Sequence, residues 1–292
     1  MRHDAVAPQG GDAKQHARYA DAMNPNNAQA AASATQNSST FRLLARVGYI
    51  VLGLLHVIIG AIAISIAVGA GGGEADQSGA LEQVERAPFG VAVLWIIVVG
   101  LVALGIWQLV EGLTAKNETD PKKKWGHRVK AFGTAIAYLA IAATALVSAL
   151  GGQSSSSQST KSFSATLLAT PGGVVLLVLI GLVVAGVGVA FVVRGIRRDF
   201  EEHLSLPMGA VGDSVRTLGV VGYIAKGIAI AVVGVLFVVA AVTTDADAAG
   251  GLDSALKSLA QLPFGQIILW LVGAGLVVYG VYCFARAKYA RL

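Results

Sequence analysis

The stretch RAPFGVAVLWIIVVGLVALGIW, Arg86 to Trp107, is written again as QLPFGQIILWLVGAGLVVYGVY, Gln261 to Tyr282, 175 positions later. Pro88 falls on Pro263, Phe89 on Phe264, Trp95 on Trp270, and the pairs Gly100/Gly275 and Gly105/Gly280 keep step. Apart from Arg86 neither copy holds a charge, so each predicts a helix with no face suited to water. An offset of 83 shows a third, more diverged copy, ATPGGVVLLVLIGLVVAGVGVA, Ala169 to Ala190, with Pro171 on Pro88 and Gly188 on Gly105.

The helix before each copy repeats as well. VGYIVLGLLHVIIG (Val47 to Gly60) matches VGYIAKGIAIAVVG (Val221 to Gly234) at an offset of 174, and the middle counterpart lies around RVKAFGTAIAYLAIA. The repeating unit is a helix, a connecting loop, a Pro-Phe-Gly or Pro-Gly-Gly start and a second helix. Uncharged runs cover 47–68, 89–110, 131–150, 172–193 and 264–285, and a sixth, 217–242, is broken only by Lys226. Runs of 20 to 22 residues rise about 30 Å as helices, the thickness of a bilayer's hydrocarbon. Barrel strands would instead be about 10 residues of alternating polarity.

The predicted fold is therefore all-α and integral to a membrane, with six spanning helices in three parallel two-helix repeats forming a pseudo-threefold bundle. Composition agrees: 55% of the 292 residues are hydrophobic, 13% are charged, and the mean hydropathy is +0.67. The divisions are a disordered polar tail (1–41), repeat 1 (42–118), repeat 2 (119–202) and repeat 3 (203–292). The tail has no apolar core of the secretory-signal kind. Each proline is expected in the first turn of its helix, where its missing N–H costs nothing. Before Pro263, GLDSALKSLAQ predicts a short interfacial helix with Leu252, Leu256 and Leu259 on one face and Asp253 and Lys257 elsewhere.

Eighteen Lys and Arg residues flank the helices on the side of the two termini and three (Arg86, Lys161, Lys257) on the other. This bias predicts cytoplasmic termini in a plasma membrane and contact with anionic lipid headgroups. It also accounts for the net charge of +5 without nucleic acid. KKKWGHRVK reads as a topology and lipid anchor, with Trp125 at headgroup level. Cys283 is the single cysteine, so no intrachain disulfide exists.

The expensive residues are polar ones inside the apolar runs. Lys226 carries a cost of about 2.5–3.5 kcal/mol at mid-bilayer, relieved by snorkelling or by a partner inside the bundle. His56 shares a helical stripe with Tyr49, Gly53 and Gly60, and is either a proton or ligand site or a hydrogen-bonded packing residue. Glu111, one turn beyond Gln108, has Arg194 and Arg286 as repeat counterparts; the three form either an ion-pair ring or separate headgroup-level charges. Gly53, Gly60, Gly100, Gly105, Gly188, Gly227, Gly234, Gly275 and Gly280 are read as close-packing positions. No nucleotide, metal, thiol-redox or hydrolase motif is present, and the expectation is no cofactor and no enzyme activity.

The segments GALEQVERAPFG…LW, GLDSALKSLAQLPFG…LW, VGYIAKGIAIAVVG and the closing FARAKYARL resemble an actinobacterial family of three-repeat membrane proteins known as domain of unknown function 1206. The resemblance covers the chain from about Arg42 onward and implies fold and location but no reaction. That family typically carries Ala-Arg-Gly in the first helix of a repeat. Here Ala225-Lys226-Gly227 stands in the third copy and Val51-Leu52-Gly53 in the first. Two functions fit: a non-catalytic membrane component that assembles with a membrane protein partner or with itself, and a small transporter or channel with a polar pathway near the pseudo-threefold axis. If Lys226 and His56 share one polar space, the second is favoured.

Overall fold

The computed structural model describes residues 39–114 and 121–291. The predicted tail, apart from its last residues, and Lys116 lie outside the described residues. Six long helices have the length and apolarity to cross a membrane: α1 (Ser39–Ala67), α3 (Gly90–Thr114), α4 (Pro121–Ala149), α6 (Gly173–Arg197), α7 (Ala210–Thr243) and α9 (Gly265–Tyr289). Three short helices precede α3, α6 and α9: α2 (Gln77–Glu85), α5 (Ser156–Leu168) and α8 (Gly251–Ala260). Several long helices outrun their apolar runs. The basic segment after Pro121 is the first part of α4, with Pro121 at the helix start that its fixed φ suits. A helix satisfies its own backbone, so charged side chains ride on its ends wherever they find polar surroundings.

The repeated Pro phrase is a corner, and its geometry corrects the expected proline position. The prolines stand ahead of α3, α6 and α9, outside the first helical turn. Each is the second residue of a four-residue turn, closed by Gly90 N–H to Ala87 O at 2.9 Å, Gly173 to Thr170 at 3.0 Å and Gly265 to Leu262 at 2.7 Å. The third residue is left-handed in every copy: Phe89 (φ 62°), Gly172 (φ 78°) and Phe264 (φ 60°). This is the type II turn, in which proline fixes one angle and the next residue must take positive φ. Gly90, Gly173 and Gly265 follow because a Cβ there would collide with the carbonyls of Val84, Leu167 and Leu259 in the preceding short helices.

All three copies, not only the last, form the short helix. Asp76 caps α2 by accepting the Gly79 N–H at 3.1 Å, and Ser155 caps α5 by accepting from Gln158 at 3.0 Å. The three connections are tied together across the repeats. Ala75 N–H donates to Asp253 Oδ1 at 2.8 Å, Ser157 Oγ to Gly250 O at 2.9 Å, and Ser155 Oγ to a Glu74 carboxylate oxygen at 2.6 Å. Asp253 is therefore buried rather than on an outer polar face, because its acceptor serves a backbone 178 positions away. These helices make a hydrogen-bonded cap over the end of the bundle remote from Ser39 and Arg291.

The spanning helices follow the order α6, α7, α9, α1, α3, α4. Neighbouring repeats meet through glycines. A Cβ on Gly53 would stand 2.7 Å from Gly280 O, one on Gly60 2.5 Å from Gly273 O, one on Gly188 2.7 Å from Gly227 O, and one on Gly234 2.6 Å from Gly181 O. Within repeat 1, Gly48 faces Gly100; within repeat 3, Gly275 faces Ala225 and Gly222 faces Tyr279. Gly105 takes the Leu139 side chain of α4. Such approaches replace the hydrophobic drive that lipid removes. Repeat 2 differs: α4 and α6 form no packed pair among the described residues. Val183, exposed on α6, occupies the position of Gly100 and Gly275.

Candidate functional site

The centre of the arc, toward the end bearing the described C-terminus, is polar and aromatic. Tyr279 of α9 is its hub. Its ring centre lies 4.8 Å from that of His56 (α1) and 5.5 Å from that of Tyr223 (α7), and Lys226 Nζ sits 4.4 Å from it. The same amine is 5.4 Å from the Phe191 ring of α6. Two helical turns further along α9, the Arg286 guanidinium lies 4.4 Å over the Tyr49 ring of α1. Tyr138 of α4 packs against the clusters containing Tyr49, Tyr223 and Cys283. Elements from all three repeats thus converge on one chamber.

Cations dominate it. Lys226 and Arg286 are each half-buried and each lie against an aromatic face, a contact that partly replaces hydration. Neither makes an ion pair with a carboxylate among the described residues. The Lys226 amine lies between the Phe191 and Tyr279 rings. His56 is buried, and its Nδ1 lies 2.8 Å from Leu52 O, one turn back on its own helix. With Nδ1 donating there, Nε2 is left as the acceptor. His56 also lies within electrostatic reach of Lys226. The histidine and the lysine both lie against the Tyr279 ring.

At the same end of the bundle as Arg286 lies a basic rim. Lys130 on α4 lies within electrostatic reach of Arg194 on α6, of Glu111 on α3 and of Arg286. This brings Glu111, Arg194 and Arg286 to the same end of the bundle. Glu111 also approaches His127 of α4, at 3.7 Å between Oε1 and Nε2. Gln108 is half-buried one turn earlier. His203, in the 3-10 turn Asp199–His203, has one side crowded and one open to water; burial first, then Lys130, Arg286 and Arg194, push its imidazole down to about 4. That turn is fixed under the chamber by Phe200, stacked on Tyr223 at 5.2 Å. Ser205 N–H donates to Tyr289 O at 2.8 Å, and Arg291 N–H to His203 O at 3.1 Å, which ties the turn to the end of α9.

Sequence reasoning singled out His56 and Lys226 because polar residues are rare in such runs, and Arg194 and Arg286 as the repeat counterparts of Glu111. It missed Tyr138, Phe191, Tyr223, Tyr279 and Tyr282, which read as ordinary apolar filling. Their signal was concentration: Tyr279, Tyr282 and Cys283 fall within a span of five positions in the second half of one helix, just before Arg286. Lys130 was read only as part of a surface anchor.

The chain belongs to the family described as Domain of Unknown Function (DUF1206), which it matches three times, over residues 47–115, 129–198 and 221–290. It is also similar to an uncharacterized protein, YxxB, of Bacillus subtilis (strain 168), with 30% identity over 250 residues that cover 85% of this chain and 90% of that one. No solved structure matches.

Proposed function

We propose that this protein is a non-catalytic membrane component that binds an anionic group in the Lys226–Arg286 chamber, in the manner of a small carrier or transporter. The observation that carries the reading is the pair of cations inside the bundle, both against aromatic rings and neither ion-paired with a carboxylate among the described residues. A charge enclosed among helices costs several kcal/mol unless it is paired, and Lys226, further from its helix end than Arg286 in the last turn of α9, carries most of that cost. An anion is the chemistry that completes the site. Arg and Lys together suit a phosphate group, with Arg giving planar donors and Lys a point charge.

The arc of helices is read as a pseudo-threefold bundle whose contact within repeat 2 is missing. The distribution of Lys and Arg supports cytoplasmic termini in a plasma-membrane protein. A second reading, assembly with a partner membrane protein or another copy, is supported by α6: only 17% of its most apolar stretch is buried, against 56% in α1.

The test is thermal unfolding of the detergent-purified chain in a series of anions at constant ionic strength. Inorganic phosphate is expected to stabilise it saturably and more than chloride, with the response lost in Arg286→Gln and Lys226→Gln. Equal responses to both anions, or an unchanged response in both variants, would contradict the reading and leave assembly as the better one.

A further inference from the structure

We infer that the phosphate group bound by the chamber belongs to an anionic phospholipid, which reaches Lys226 and Arg286 sideways, through the unpacked seam between α4 and α6. The inference rests on the anion-binding reading above and adds the ligand's class and its route.

The seam has a cause in the sequence. In repeat 1 the two helices touch where Gly48 meets Gly100, and in repeat 3 where Gly275 meets Ala225. The corresponding α6 residue is Val183, and α4 and α6 do not close. A branched side chain at a crossing point holds two helices apart where glycine would let them meet. In a membrane, such a gap lies open to acyl chains.

The seam also leads to the charges. Lys130 stands on one bank and Arg194 on the other, within electrostatic reach of each other, with Arg286 behind them. Deeper in, Tyr138 from α4 and Phe191 from α6 are half-buried, Phe191 beneath the Lys226 amine. Two basic banks at one end of the bundle, a pair of helices that do not pack above them and further cations inside match the layout of a phospholipid: phosphate at headgroup depth, chains in the hydrocarbon. The remote end is closed by the cap formed by Asp253 with Ala75, Ser157 with Gly250 and Ser155 with Glu74. A ligand held from the side needs no opening there.

Free phosphate and a phospholipid share the chemistry, so the experiment separates them. Full-length protein is exchanged into detergent carrying phosphatidylglycerol, phosphatidylcholine or inorganic phosphate. Retained ligand is read by native mass spectrometry and thermal stabilisation is read in parallel. The expected result is phosphatidylglycerol retained about tenfold over phosphatidylcholine, as a charge-selective site requires. Retention falls in Arg286→Gln, and also in Val187→Trp, which adds bulk to α6 one turn from Phe191 on a side chain exposed in the native chain. Stabilisation by inorganic phosphate with no preference for phosphatidylglycerol would overturn the lipid inference and leave the anion site standing. Selective retention that Val187→Trp does not change, in a protein that still folds as judged by its melting transition, would overturn the lateral route. No response to either phosphate source would overturn both readings. If Val187→Trp fails to fold, Val187→Phe is the substitute, with the same two readouts.

Discussion

Repeats 1 and 3 are hairpins whose helices touch; repeat 2 is the same hairpin held open. The corners are alike in all three, down to the left-handed residue after the proline and the glycine that follows it. The difference lies at the crossing point, where two repeats have glycine and the third has Val183. Shared corners set direction, whereas small residues set closeness. An internal duplication can thus keep its topology and still place an opening at one chosen position. In this protein the opening faces the charges.

The largest effect should come from filling a closed contact. Gly280→Leu forces a branched side chain into the Gly53 carbonyl and the Val57 side chain, an overpacking that costs about 3 kcal/mol or more. Folded, monodisperse protein should be lost on size-exclusion chromatography. Gly186→Leu, on α6 where an added Cβ meets nothing within 4 Å, should change stability by less than about 0.5 kcal/mol. Equal damage from both would erase the contrast between closed and open faces.

Next in size is the chamber itself. Lys226→Met removes a buried charge without leaving a cavity, and in phosphate-free detergent it should raise stability by about 2 kcal/mol. A fall in the melting temperature would show that the amine already has a stabilising partner.

The cap offers the opposite polarity and a pH signature. The Asp76 carboxyl is pushed up from 3.8 to about 6, by burial first and also by Glu74 and Asp253. Its Oδ2 is buried with no hydrogen-bond partner. In the window between these two values the folded protein holds a proton that the unfolded chain has released, so stability falls as pH rises through it and is level above it. Asp76 by itself should favour the fold near about pH 5 over about pH 7.5 by on the order of 1 kcal/mol, against the opposite contribution of His203, whose depressed imidazole favours the higher pH. Asp76→Asn keeps the oxygen that accepts the Gly79 N–H and should lose most of that difference. An Asp76→Asn protein with the full wild-type pH dependence would place its origin elsewhere.

The smallest effect concerns the corners. Gly172→Ala puts a Cβ on a residue at φ +78° and should cost about 1 kcal/mol. Phe264→Gly, with an exposed ring at φ 60°, should recover a similar amount, less the packing its ring makes. If Gly172→Ala is neutral, the left-handed turn is not a shared requirement.

What could be read from sequence follows from what each residue type signals. The six spans and the repeat were legible because uncharged runs of bilayer length fit almost nothing but a membrane helix. The corner was half legible. Proline and glycine marked it, but Phe89 and Phe264 hid its left-handed residue, and only Gly172 at the matching position betrayed it. Asp253 could not be placed from local pattern, because its partner is the Ala75 N–H of another repeat. Lys226 and His56 stood out by cost and Arg286 by its repeat register with Glu111, whereas the tyrosines that hold them did not, since an aromatic ring costs nothing extra in an apolar helix. The seam was present as one substitution, Val183 for glycine, whose meaning depends on knowing which helices should meet there.

The most direct test is a pair of distances measured by pulsed electron paramagnetic resonance in a Cys283→Ser background. One pair of spin labels replaces Ile136 on α4 and Val183 on α6; the reference pair replaces Ile50 on α1 and Val99 on α3, all four being exposed positions. A lateral lipid seam predicts a narrow α1–α3 distribution that is indifferent to lipid. It predicts a broader α4–α6 distribution that sharpens when phosphatidylglycerol replaces phosphatidylcholine. Two equally narrow distributions, both unmoved by the change of lipid, would contradict it.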